Sequence, residues 1–135
     1  MALLDLPPLS RIRRNHGLEH ATIHGNYYGT PLEPLDEAVG QGQVVILAID
    51  VQGAATLRRM KKDFLGFFVL PPSIEELRKR LAGRGDTPSA EVERRLAHAV
   101  EEMRHKDDYD VAVVNETVDA TVRKIRQVLQ ERHVL

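Results

Sequence analysis

Three arginines in the C-terminal half of the chain, Arg80, Arg84 and Arg95, have the residue type and spacing of an oxyanion clamp. Arg80 and Arg84 lie four residues apart at the end of a predicted helix, and Arg95 follows on the next helix, beyond the loop GDTPSAE. A guanidinium is planar and always charged, and its fork of N–H donors matches phosphate oxygens, so three converging arginines would stabilise the charge on a transferring phosphoryl group. The same spacing sets Glu76 with Arg80 and Glu91 with Arg95 at i,i+4, the pattern of a solvated helix face whose pairs contribute only about 0.3–0.5 kcal/mol each. Spacing alone leaves both readings open.

A second constellation lies near the N-terminus. Residues 15–24, NHGLEHATIH, contain HxxEH at His16, Glu19 and His20, with His24 four residues on. On a helix these histidines share one face, and HxxEH is a spacing in which two imidazoles hold Zn²⁺ beside a glutamate base. Gly17 and the β-branched Thr22 and Ile23 weaken that helix, and no further ligand is identifiable downstream, so metal binding through His16, His20 and His24 is an alternative only. None of the nine glycines begins a GxxxxGK[ST] pattern, so these 135 residues carry no phosphate loop, with its lysine and its Mg²⁺-holding hydroxyl.

The elements that must position these residues follow from patterning. Val44 to Ile49, Phe67 to Leu70 and Val111 to Val114 are continuous apolar runs, as expected of parallel strands covered on both faces. Between them, Ser73 is the predicted cap of a helix with Ile74, Leu77 and Leu81 on one face and Gly83 at its stop. Thr87 and Pro88 are the expected N-cap and first residue of a helix with Val92, Leu96, Ala99 and Met103 as its stripe. The last helix has Val118, Val122, Ile125 and Leu129. Strands alternating with helices predict an α/β layered parallel sheet, with ligands outside the carboxyl ends of the strands, where Asp50 and Asn115 fall. Gly25 to Pro34 reads as a polar-aromatic loop. The first 17 residues, with Pro7, Pro8, Arg11, Arg13 and Arg14, read as an arm, and 18–135 as one domain.

Composition narrows the classes. Nineteen Lys plus Arg against twenty Asp plus Glu give a net charge of −1, so no global field draws nucleic acid or a membrane, and none is expected as a partner. The absence of cysteine excludes a disulfide framework and a thiolate zinc site. With no long apolar run and no signal-like start, a cytoplasmic location is expected.

From Leu18 onward, the motifs LExAxxHGNYYGTP, IDVQG, LPPS, RLxGRG, RRL and VVN, in this order and spacing, resemble the later two-thirds of a guanylate kinase. That resemblance implies a P-loop kinase-like α/β fold, here without its first strand, P-loop and first helix. It also implies phosphoryl transfer from ATP to GMP with Mg²⁺. It places Glu19 on the guanine N1 and N2 hydrogens, Thr30 on guanine, Tyr28 on the GMP phosphate and Asp50 near metal and phosphates. Arg80, Arg84 and Arg95 match the arginines on the nucleotide phosphates, with Arg80 and Arg84 on ATP, and Asn115 matches the adenine contact. An acceptor-only carboxylate selects guanine over adenine at that edge.

The departures are equally specific. Of the two alternating acids the family carries before VQG, Ala48 replaces the first and Asp50 keeps the second. The family's first strand lies between those matched by Val44 to Ile49 and Phe67 to Leu70, so a gap is expected there, which Ala2 to Leu6 would fill in part. Residues 11–24 also loosely resemble the start of an uncharacterised bacterial family. The expected function is a guanylate kinase-like protein that keeps nucleotide-site residues while phosphoryl transfer is impaired. The alternatives are a non-catalytic protein-interaction module of the same fold and the His-based metal protein.

Overall fold

The computed structural model describes residues 17–23, 26–60, 63–83, 85 and 87–135. The chain divides into two compact units, Met1–Phe64 and Leu65–Leu135.

In the first unit, β1 (Gly17–Ile23) and β2 (Asn26–Pro31) form an antiparallel ribbon, followed by α1 (Leu32–Gly40) and α2 (Val51–Arg59). The loop expected over Gly25 to Pro34 is therefore corrected, and the helix that only the alternative metal reading required through HxxEH is not formed over Gly17–Ile23. Thr22, Ile23, Tyr27, Tyr28 and Thr30 are β-formers, and they outweigh the helical reading of the histidines. A strand spaces positions i and i+4 about 13 Å apart, against about 6 Å along a helix, so the helical premise of the metal site is not met over Gly17–Ile23. His16 and His24 lie outside the described residues.

Val44 to Ile49 form no strand. Exposure alternates along the run, with Val44 at 55 % and Ile46 at 71 %, as along an extended segment, but no ladder partner exists among the described residues. A strand is defined by the backbone beside it, and the segment that the family resemblance would put there has no match in this sequence. Ala2 to Leu6, expected to fill part of that gap, lie outside the described residues. Helix α2 packs on β1 and buries Gly53, Ala54 and Leu57.

The second unit is built on β3 (Phe67–Leu70) and β4 (Val111–Val114), paired in parallel from Phe67↔Val111 to Leu70↔Val114. Parallel neighbours require a long crossover, here supplied by α3 (Ile74–Ala82) and α4 (Ser89–Met103). The ladder is closed at one end by Gly66, whose N–H donates to Asp110 Oδ2 at 2.7 Å, and at the other by Asn115 N–H donating to the Leu70 oxygen at 2.7 Å. Phe68 and Tyr109 meet edge to face at 5.0 Å. Helix α5 (Val118–Glu131) packs on β4. The core is Val92, Leu96, Val113 and Val128.

The expected caps hold at Ser73, whose hydroxyl accepts from Glu76 N–H at 3.0 Å, and at Gly83, which ends α3 at φ 58°. Three details differ from expectation. Pro88, not Thr87, is the N-cap of α4, and no side-chain hydrogen bond caps that end. The sheet strands are unevenly covered: Val113 is buried, while its register partner Val69 on the same face and Val114 on the other stand about half exposed. The buried face of α5 is turned toward Thr121 and Val128, leaving Val118 and Val122 exposed. The reason is polar: the single hydroxyl hydrogen of Thr121 is shared between Thr117 O at 2.9 Å and Asn115 Oδ1 at 3.0 Å, and the contact to Asn115, outside the helix, holds Thr121 on the inward side.

Candidate nucleotide site

In the first unit, the ribbon register sets Glu19 opposite Thr30 and Ala21 opposite Tyr28. Cross-strand partners share a face, and alternate positions along a strand return to it, so positions 19, 28 and 30 occupy one face of the ribbon. Three residues expected on one nucleotide are thus neighbours in register, although Glu19 is far from the other two in sequence.

Asp50 stands at the N-terminus of α2. Its extended backbone frees the side chain to cap the helix, and Oδ1 accepts from Gly53 N–H at 2.9 Å. Asp50 Oδ2 is buried and has no hydrogen-bond partner among the described residues. A buried carboxylate oxygen without a partner is costly in an isolated chain, and it is the kind of acceptor that a cation or a ligand donor satisfies. The helix N-terminus beside it adds partial positive charge.

In the second unit, Arg80 lies in the last turn of α3 and reaches the loop after β4. Its Nη1 donates to Asn115 O at 2.9 Å, Nη2 to Glu116 O at 3.2 Å and Nε to Glu76 Oε1 at 3.1 Å. The expected arginine and the expected adenine-side asparagine are therefore joined, through main-chain oxygens 35 residues away in sequence. Asn115 is fixed further by its side-chain oxygen, which accepts from Thr121, and this leaves its Nδ2 donors for another acceptor.

Arg95 lies on α4, which packs against α3. Its Nε donates to Glu91 Oε1 at 2.7 Å, while Arg94 donates to Glu91 Oε2 through Nη2 at 2.6 Å and Nε at 3.0 Å. The hydrogen bonds from Arg94 and then Arg95 hold the Glu91 carboxyl below the usual carboxylate range. Glu93, two residues on, bridges to Arg78 across the α3–α4 pair. Both arginines thus form the glutamate pairs their spacing allowed, and Arg80 reaches beyond its helix as well. Arg84 lies outside the described residues.

Sequence reasoning missed Thr121 and Asp110. Thr121 lies four residues after the cap Thr117, a spacing that lets a hydroxyl bond back to the preceding turn, so its signal was legible. Asp110 carried none, because its partner Gly66 is 44 residues away.

No helix among the described residues is long and apolar enough to cross a membrane. Comparison with known proteins gives a consistent picture. A family profile described as guanylate kinase matches residues 9–132. The guanylate kinase of Deinococcus radiodurans is 39% identical over 123 residues, covering 90% of this chain and 52% of that protein. That of Alkalilimnicola ehrlichii is 44% identical over 119 residues, covering 87% and 59%. The crystal structure of guanylate kinase from Anaplasma phagocytophilum is similar with a TM-score of 0.75 at 33% identity, over 92% of this chain and 60% of that one. This chain spans about half to 60% of the length of these relatives.

Proposed function

Because the chain belongs to the guanylate kinase family, we propose that it binds GMP through Glu19, Tyr28, Thr30 and Asp50, and that these 135 residues alone transfer phosphoryl groups slowly. The single observation that carries the binding half is the ribbon register, Glu19 opposite Thr30 with Tyr28 on the same face. In this reading Glu19 accepts from the guanine edge, Thr30 donates or accepts beside it, and Tyr28 reaches the phosphate. Adenine offers an acceptor where guanine offers the N1 hydrogen, so Glu19 would face it lone pair to lone pair.

The ATP side is Arg80, Arg84 and Asn115, with Arg95 contributing charge to the transferring phosphoryl group. Asn115 Nδ2 suits a base acceptor, because its oxygen is occupied by Thr121. Asp50 fits Mg²⁺ through its unpaired oxygen, since a hard cation takes carboxylate oxygens directly or through its waters. When bound, Mg²⁺ neutralises developing charge on the phosphates.

The weak-transfer half follows from chemistry. Phosphoryl transfer depends on positioning and electrostatic stabilisation, and P-loop amides, the P-loop lysine and its hydroxyl supply much of both in P-loop enzymes. None of the nine glycines here begins that loop. A coupled assay for GDP formation from GMP and ATP tests it: turnover far below the ordinary ~1–100 s⁻¹ is expected, and turnover within that range would overturn the slow-transfer reading.

A further inference from the structure

Arg94 and Arg95 place three N–H donors on one carboxylate, with Glu91 Oε2 receiving two from Arg94 and Oε1 one from Arg95. This is the donor pattern two guanidiniums would present to a phosphate. The carboxylate is the least exposed member of the trio, at 27 % against 52 % for Arg94 and 43 % for Arg95, so it sits between them. The next acid along the helix, Glu93, is engaged by Arg78 and is not an alternative partner in this arrangement.

We infer that Glu91 is an internal counter-anion, which occupies Nε and Nη2 of Arg94 and Nε of Arg95 and must yield them when a phosphate group takes both guanidiniums. Two effects have the same sign. Glu91 holds donor N–H groups that a phosphate oxygen would otherwise take, and its negative charge repels an anion seated on Arg95. Two arginines and one glutamate leave the trio with a charge of +1, and neutralising the glutamate raises it to +2. A unit charge within about 5 Å of a bound anion, in a half-exposed setting, alters affinity by about three- to tenfold. A phosphate still displaces the carboxylate, because it brings more charge and more acceptor oxygens, and the exposed pairs it breaks are weak. Glu91 thus sets a threshold that favours doubly charged phosphate groups over singly charged carboxylates.

This inference deepens the phosphate side of the proposed function and rests on it, but its test uses an anion without a base. Pyrophosphate is titrated calorimetrically at low salt into the full chain and into Glu91→Gln, with GMP titrated separately. The expected result is pyrophosphate binding about three- to tenfold tighter in E91Q, and the same gain in Glu91→Ala should E91Q fold poorly. Glu101→Gln, the same charge change near the far end of α4, should leave affinity unchanged. Introducing R94Q and R95Q together should abolish the gain. Equal or weaker pyrophosphate binding in E91Q and E91A, no pyrophosphate binding in any variant, or an equal gain in E101Q would overturn the inference. Should GMP fail to bind while the pyrophosphate gain is present, the GMP reading falls and the role of Glu91 stands.

Discussion

Arg80 donates from Nη1 to the main-chain oxygen of Asn115 at 2.9 Å, tying the last turn of α3 to the first residue after β4. Its second terminal nitrogen holds Glu116 O in the same loop, and its Nε holds Glu76. The guanidinium therefore fixes the backbone that presents Asn115, and its flat fork suits two neighbouring carbonyls better than a lysine would.

Replacement of Arg80 by lysine should lose one of the two carbonyl contacts while keeping the charge. The exposure of the site limits the cost to about 0.5–1.5 kcal/mol of stability, read from chemical denaturation. Faster amide exchange should be confined to the segment after β4, around Asn115 to Thr117. If R80K matched the parent in both measurements, the tie would be shown to be idle.

Thr121 is buried, and its hydroxyl serves both Asn115 and the preceding helical turn. Thr121→Val keeps the shape but strips the donor from Asn115, at a cost of about 1–2 kcal/mol. Asn115 would then lose the fixed amide orientation that leaves Nδ2 outward. ATP affinity should fall together with stability in T121V, whereas Thr117→Ala, which removes only the helix cap, should lower stability without altering affinity.

How far these features were legible in the sequence differs by element. Helix α3 was readable from both ends, because Ser73 and Gly83 act locally. The strands Phe67–Leu70 and Val111–Val114 were readable from apolar, β-branched and aromatic content. The β1–β2 ribbon was missed because the glycines and prolines of Gly25 to Pro34 give a loop signal, although Thr22, Ile23, Tyr27 and Tyr28 are β-formers. The inward face of α5 was misjudged because hydrophobicity pointed to Val118 and Val122, while a hydrogen bond to Asn115 decided the matter. Val44 to Ile49 look like a strand in isolation, but strand formation depends on a neighbour, which local sequence does not encode. Of the site, the Glu76–Arg80 and Glu91–Arg95 pairs followed from i,i+4 spacing. The reach of Arg80 to Asn115 did not.

The Glu91 trio also gives a pH prediction. Arg94 first and Arg95 second favour the charged carboxylate, so its native pKa lies below its unfolded value. Such a group contributes stability that is present above the unfolded pKa and lost as pH falls through the native one. The thermal midpoint of the parent should exceed that of E91Q near neutrality, and the two should converge as pH is lowered from about 6 to about 3. A gap that stays constant across that range would contradict the pairing.

Leu96 is 6 % exposed and lies on the buried stripe of α4 with Val92. Leu96→Ala removes buried methyl groups and should cost about 2–4 kcal/mol, a large share of a stability that is ordinarily about 5–15 kcal/mol. Val118→Ala, at a position 71 % exposed, should cost little. Denaturation midpoints that fell equally in the two variants would mean that α5 packs by its Val118 side instead.

The central claim is recognition of guanine by the face of the ribbon that carries positions 19, 28 and 30. Isothermal titration with GMP and AMP, on the parent and on Glu19→Gln, tests it most directly. Saturable GMP binding, much weaker AMP binding and a loss of at least about tenfold for GMP in E19Q are expected, since a buried base edge left unpaired costs more than about 1.4 kcal/mol. Absence of heat with GMP at millimolar concentration, or equal affinity for GMP and AMP, would contradict it.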